Sequence, residues 1–381
     1  MLIFATVAAL TLSHEWGMSY AELIPYATPG FVAFGVCTLP AGWLADTWSR
    51  KGMMVVFYIG IGLSSIFTAL SESPFQIGIG LLAIGLFAAI YHPVGLALVV
   101  QGRKDTGVPL AINGIFGNMG VACAALLTGY LIDHTGWRSA FVWPGVFSIA
   151  TGIVYAVLYV ARGAGAKQAR FRVAAEKAGE TQGVERRLLT RVFGIIFFST
   201  AVGGLVFQST TFALPKVFDE RLADLAVSAT LVGWYAFIVF AIAAFGQLVV
   251  GYLVDHYAIR SVFALLAALQ AVFFAAMPGL MGWTALGVAM AFMLVVFGQI
   301  PINDVLISRV TRSEWRSRVY GFRYIVTFSV MASSVPLIAW IHARWGFDSL
   351  FTILSVGAAC IFISVLLLPR VHSADVDSQS R

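Results

Sequence analysis

Ionisable side chains are scarce in this chain, and those that fall among apolar residues must either do chemistry or be neutralised. Charged residues make up 11% of the 381 positions against 60% hydrophobic. Six ionisable positions lie inside or at the ends of apolar runs: Glu22, Asp46, His92, Asp255, Asp304 and Arg323. At membrane depth each needs a partner or a water-filled cavity. His92, between Tyr91 and Pro93, can titrate near neutrality, and Pro93 frees a backbone carbonyl beside it. That suits a proton or solute site, or equally a neutral imidazole bonded to a carbonyl. Asp304 follows Asn303 and stands near Arg309, so it serves as a proton carrier or as half of an ion pair. Glu22 meets water at the outer mouth of a pathway or is a surface carboxylate. Arg323 binds an anionic solute or neutralises Asp46. Asn113, Asn118, Gln208, Gln299 and Asn303 offer uncharged hydrogen bonding, along a solute path or as glue between helices. Gly114, Gly117 and Gly120 form a small-residue stripe suited to close helix crossing. Aromatic residues, at 14%, are expected to face lipid or the interface.

The elements that carry these groups are written in the apolar runs. Full-length runs fall at about 19–45, 52–71, 74–100, 107–132, 139–161, 191–214, 228–254, 261–277, 284–308, 319–342 and 350–369. Each is long enough to cross a hydrocarbon core of about 30 Å as a helix. Residues 1–12 are apolar but reach only about 18 Å at 1.5 Å per residue. They predict a truncated first span, followed by an outer loop over SHEWGMSYAEL. Twelve spans result, in an all-α polytopic membrane protein. Residues 162–190 read as a charged linker between an N-terminal bundle, 1–161, and a C-terminal bundle, 191–369, with a disordered tail over 370–381. The formal charge of +6 lies in short loops, so it is no nucleic-acid signal. Cys37, Cys123 and Cys360 lack ligand spacing, and no phosphate loop or nucleophile elbow occurs. Neither a metal, a cofactor nor an enzymatic reaction is expected.

Two loops repeat. Gly42 to Lys51 reads GWLADTWSRK, with Asp46 at the mouth of a span and the basic pair Arg50 and Lys51 behind it. Gly251 to Arg260 reads GYLVDHYAIR and repeats the pattern at Gly251, Leu253, Asp255 and Arg260. Asp46 and Asp255 are 209 residues apart, Pro93 and Pro301 208, and Gly136 and Gly346 210. Three landmarks at one spacing predict two homologous six-span halves in parallel orientation. With the GWLADTWSRK loop on the cytoplasmic side, that side holds 19 Lys and Arg against four opposite, and 11 against four without the linker. Both termini are then inside.

The GWLADTWSRK stretch resembles the loop between helices 2 and 3 of the major facilitator superfamily, and the whole length is similar to that family. The resemblance implies two six-helix bundles related by a pseudo-twofold axis along the membrane normal. It also implies a gating set of Gly42, Asp46, Arg50, Lys51, Gly251, Asp255, Arg260 and Arg323. Asp46 would face Gly321 to Arg323 at the start of helix 11 and lock the outward-open state, while Asp255 would dock near Asn113 and Gly114. The segments AIYHPVG, NGIFGNMG, IPIND and RSRVYGFRYIVTFSV are similar to the branch of fosmidomycin-resistance exporters. In the helix 5 pattern of exporters, Ala124 and Ala125 stand where a Gly-Pro pair is usual. The expectation is a monomeric, proton-coupled secondary transporter of a small organic solute in a bacterial inner membrane, with export favoured over uptake. The alternative is a transporter-like sensor or assembly factor.

Overall fold

The computed structural model describes residues 1–100, 107–161, 186–310 and 313–368, and these residues are almost entirely helical. In chain order the helices are α1 (Leu2–Glu15), α2 (Tyr20–Ala45), α3 (Arg50–Ala69), α4 (Pro74–Val99), α5 (Gly107–Thr135) and α6 (Ser139–Ala161). The second half repeats them as α7 (Arg186–Arg221), α8 (Ala229–His256), α9 (Ile259–Ala276) and α10 (Gly282–Val310). A last helical stretch, Ser313–Leu366, is divided at Gly346 (φ 69°, ψ −174°) into α11 (313–345) and α12 (347–366). Most of the predicted spans coincide with these helices. Three boundaries differ most: α1 continues to Glu15 into the expected outer loop, α7 begins at Arg186 within the expected linker, and α11 begins at Ser313, before the expected run from 319. The rest of that linker, residues 162–185, and the tail lie outside the described residues.

The turn glycines explain the repeat. Gly136 (φ 84°) joins α5 to α6 and Gly346 joins α11 to α12, both in the left-handed region that side chains avoid. Their fixed spacing therefore marks the same corner in each half. Pro93 and Pro301 likewise lie in the fourth helix of each half, α4 and α10. Around Pro93 the helix widens into a π turn over Tyr91–Gly95, because proline lacks the N–H that the α pattern needs.

Aromatic residues divide between the surface, where Trp43, Phe67, Phe116, Trp143, Trp234 and Trp283 are exposed, and the core. Phe4, Phe141, Phe218, Phe240, Phe263, Phe274, Phe292, Phe297 and Phe347 are among the largest fully buried side chains. Lipid tails and protein interior are equally apolar, so hydrophobicity does not decide between them; shape and close packing do. The buried core has a telling distribution. One large cluster joins the halves, with Leu23, Phe31 and Ala125 of the first packed with Phe212, Val232 and Ile338 of the second. A second cluster, with Ile196, Val254, Phe263, Ile302 and Val365, belongs to the second half alone. A third, with Ala41, Ala45, Met53, Met54, Ile90 and Val94, belongs to the first half alone. The two separate clusters surround the repeated loops. Among the described residues the core is thus shared at one end, called here the far end, and split in two at the end that bears the GWLADTWSRK loop, the motif end.

Candidate functional site

The motif loop is compact. α2 stays helical to Thr47, Ser49 caps α3 by accepting the Gly52 N–H at 3.1 Å, and the Trp48 ring packs over Gly52. Lys51 places its ammonium 5.5 Å from the centre of the Tyr159 ring of α6. A β-carbon at Gly42 would lie 3.3 Å from Pro93, so this glycine brings α2 against the π turn of α4. Asp46 and Asp255 sit on the helical backbone at the ends of α2 and α8; their side chains, like that of Asp304, lie outside the described residues. In the repeat loop Arg260 donates to the carbonyl oxygen of Leu366 at 2.6 Å, tying α9 to the end of α12.

The two halves meet along two helix pairs. α5 and α8 pack backbone to backbone at the far end: a β-carbon at Gly129 would collide with the Ala229 carbonyl, and one at Gly233 would lie 2.7 Å from that of Ala125. Asp133 of α5 completes this contact by accepting the N–H groups of Ala229 at 3.2 Å and Thr230 at 2.6 Å, at the N-terminus of α8. Toward the motif end the pair separates. Gly251 lies on the same face of α8 as Gly233, eighteen residues or about five turns along. At Gly251, as at Gly114, Gly117 and Gly120 of α5, nothing among the described residues lies within 4 Å of an added β-carbon. Among the described residues the close approach of α5 and α8 is made by Gly129 and Gly233 and not by the Gly114–Gly120 stripe.

α2 and α11 form the other pair. Their contact begins at Tyr20 and His342, whose rings meet edge-on at 5.7 Å, and reaches Phe34 and Phe328, 4.8 Å between ring centres. A β-carbon at Gly35 would lie 2.8 Å from that of Phe328. His92, projecting from the π turn, closes this group with its ring 5.5 Å from Phe34 and 6.0 Å from Phe328. Its neighbour Tyr91 donates its hydroxyl proton to Asn113 of α5 at 2.5 Å. His92, Tyr91 and Asn113 therefore stand together where the shared core ends. Arg323 is half-buried on α11, five residues toward the motif end from Phe328.

The whole length is matched by the family profile described as Major Facilitator Superfamily, over residues 1–223 and 196–381. The chain belongs to the major facilitator superfamily. It is 24% identical over 412 residues to a 4-hydroxybenzoate transporter of Pseudomonas aeruginosa, covering 96% of this chain and 88% of the relative. A gallate transporter of Pseudomonas putida is 28% identical over 144 residues, 37% of this chain and 32% of the relative, so that match spans about a third of its length. A probable L-galactonate transporter of Escherichia coli is 28% identical over 159 residues, 40% of this chain and 34% of that protein. Among solved structures, a D-xylose–proton symporter superposes with a TM-score of 0.66 at 14% identity, over 97% of this chain and 95% of that one. Membership makes this an integral multi-pass transport protein, not an enzyme. No group of three or more His, Cys, Asp or Glu suited to a metal occurs among the described residues.

The remaining sequence candidates of this facilitator divide by location. Glu22 forms a capping box at the start of α2: it accepts from the Ser19 N–H and hydroxyl, both at 2.8 Å, while Ser19 accepts the Glu22 N–H at 3.3 Å. Asn303 accepts from the buried Ser199 hydroxyl at 3.1 Å, inside the second half. Gln299, one turn away, accepts from Gln270 of α9 at 2.5 Å; Gln270 is fully buried and was missed, although a lone glutamine in an apolar run is the same signal that singled out Gln299. Gln208 is buried in α7 and Asn118 half-buried in α5. Also missed is a polar cluster at the far end, Tyr20, Lys216, Glu220 and His342, whose members come from three helices.

Proposed function

We propose that the protein is a secondary transporter that carries a small organic carboxylate across the bacterial inner membrane by alternating access, with coupling to protons. The observation that carries this reading is the core shared at the far end and divided at the motif end. Two packed halves that, among the described residues, touch along only part of their interface can rock about that contact, as repeat-built transporters do. The motif end is taken as cytoplasmic, with both termini inside, on the excess of Lys and Arg there. The conformation described is then open inward. The solute class is drawn from the relatives named for gallate, galactonate and 4-hydroxybenzoate, all carboxylates. His92, Tyr91, Asn113 and Arg323 supply cationic or hydrogen-bonding groups where the shared core ends, beside the aromatic faces of Phe34 and Phe328. The direction proposed is uptake rather than the export that the fosmidomycin-branch resemblance favours, on the Ala124 and Ala125 pair in α5 where exporters of the family carry Gly-Pro. The protein acts as a monomer.

The test is accumulation of labelled 4-hydroxybenzoate and gallate in liposomes reconstituted with the full chain. An inside-alkaline gradient should drive accumulation above the outside level, and a protonophore should abolish it. Saturable binding with no flux under any gradient would overturn transport in favour of a sensor.

A further inference from the structure

The outer surface of the first half carries a cleft between α2 and α4, near the far end. Its volume is about 490 Å³, and Pro25, Tyr26 and Pro29 of α2 and Phe75, Ile79 and Leu82 of α4 line it. Apart from the Tyr26 hydroxyl, every one of these side chains is apolar. Pro25 lies within a 3₁₀ turn over Ile24–Ala27. Gly78 also lines the cleft, and it marks where the two helices touch: an added β-carbon would lie 3.4 Å from the Tyr26 ring. On α4 the exposed residues Phe75, Ile79, Leu82 and Leu86 recur at the spacing of one helix face. On α2 Pro29, Val32, Val36 and Leu39 do the same. In an integral membrane protein such outward apolar stripes meet hydrocarbon, and the cleft lies where the two stripes adjoin.

We propose that this cleft holds one acyl chain of a zwitterionic phospholipid of the far leaflet. Ordered water needs two or more polar partners, which these walls do not offer. Unfilled, the walls would lose their van der Waals contacts on one side. The volume lies within the roughly 300–1,000 Å³ of pockets that take a small ligand. A flexible hydrocarbon chain matches both the shape and the chemistry. Depth agrees as well. α4 begins at Pro74, and Phe75 to Leu82 covers about 10 Å at 1.5 Å per residue. One leaflet contributes about 15 Å to a hydrocarbon core of about 30 Å, so the cleft lies within the far leaflet. The headgroup then falls at the far face, beside Glu22 and Glu72. Both are exposed, and each stands three residues ahead of a lining residue, Pro25 or Phe75. Two carboxylates repel an anionic headgroup and attract the ammonium end of a zwitterionic one. α2 and α4 belong to the same half, so the bound chain moves with that half and leaves the far gate free.

This inference rests on the membrane-spanning fold and on neither the solute nor the transport cycle. The experiment titrates the delipidated full chain in detergent with dioleoylphosphatidylethanolamine and, separately, with dioleoylphosphatidylglycerol. Native mass spectrometry counts the lipids bound. One molecule of the zwitterionic lipid should bind distinctly more tightly than those that follow, and more tightly than the anionic lipid. Ile79→Trp fills the cleft from an exposed position and should weaken that first binding about tenfold or more, the worth of two buried methylenes. Val272→Trp makes a similar enlargement on the exposed face of α9, outside the cleft, and should leave the first binding unchanged. Glu72→Gln should narrow the difference between the two lipids. A monodisperse elution profile and an unchanged melting temperature check that each variant folds. Equal effects of Ile79→Trp and Val272→Trp, or no distinct first binding, would mean ordinary annular lipid and overturn the site. An anionic lipid bound as tightly as the zwitterionic one overturns the headgroup assignment.

Discussion

Arg138 and Asp348 occupy the same corner of the two halves, 210 residues apart, with opposite charge and with every partner inverted to match. Arg138, at the start of α6, lies 3.7 Å from Glu15 at the end of α1 and donates to the Ser71 carbonyl at 3.3 Å. Asp348, at the start of α12, pairs with Arg221 at the end of α7 and accepts the Gly279 N–H at 3.1 Å. Ser71 and Gly279 belong to equivalent turns, 208 residues apart. Each clasp ties the first and sixth helices of its half to the turn between the third and fourth at the far end. The charge was exchanged, and the backbone group that each side chain uses changed from acceptor to donor with it.

Removing Asp348 therefore leaves Arg221 and the Gly279 N–H without their acceptor. Asp348→Ala should destabilise the second half by about 1–2 kcal/mol, since the site is only partly buried. The double exchange Arg221→Asp with Asp348→Arg should recover the ion pair but not full stability, because an arginine cannot accept from Gly279. Thermal unfolding in detergent, with transport measured in parallel, checks both. A double variant as stable as the native protein would show that the backbone contact contributes nothing.

Much of this fold is written locally. Span positions follow from runs of apolar residues, and the repeat follows from glycines and prolines whose backbone demands do not depend on neighbours. Gly136 and Gly346 are the clearest case: both have the positive φ that their fixed spacing from other landmarks implies. The site was only partly legible. His92, Asn113, Gln299 and Asn303 stood out as polar groups within apolar runs. Tyr20, Lys216, Glu220 and His342 did not, because they lie near span ends, where charged residues ordinarily meet water, and only the fold brings them together. The Gly114–Gly120 stripe shows no close neighbour among the described residues, for another reason. Its packing depends on which end of the transporter is closed, and a sequence describes all conformations at once.

Asp133 acts across the halves. It caps the N-terminus of α8 from the end of α5, where two backbone N–H groups and the helix dipole favour a carboxylate. The contact exists only while the far end is shut. Asp133→Ala should cost the shut state about 1–2 kcal/mol, shifting the far-end distance distribution toward the open form by roughly 5- to 30-fold. Overall stability should change little. If the distance distribution stays as in the native protein while the melting temperature falls, Asp133 supports the fold and not the gate.

Asp46 acts, on the family resemblance, at the opposite end. Its lock with the start of α11 would form only when the motif end closes. Asp46→Asn keeps the shape and removes the charge, so it should favour the conformation described here, open at the motif end on our proposal, and slow transport, with expression intact. Asp255→Asn should act in the same direction. Labelling of Ser317→Cys from the motif side reads the change, and equal labelling with full transport would make Asp46 a passive loop carboxylate.

Gly233 and Gly251 give the sharpest test, because they lie on one face of one helix and differ only in which end of the interface they serve. At Gly233 a β-carbon would sit 2.7 Å from the Ala125 carbonyl oxygen, closer than real side chains approach a backbone. At Gly251 it would meet open space among the described residues. Gly233→Val should therefore forbid closure of the far end and trap the opposite conformation. Gly251→Val should leave the present conformation undisturbed and obstruct closure of the motif end, where α8 must approach α5. Both variants should fold and both should lose transport, but for opposite reasons. Far-end label distances between Leu70→Cys and Val227→Cys should lengthen in the first variant and stay short in the second. Labelling of Ser317→Cys should be lower in the first variant than in the second. Identical readouts from the two variants would mean that α5 and α8 do not alternate between two contacts along their length, and the rocking of the halves would have to be abandoned.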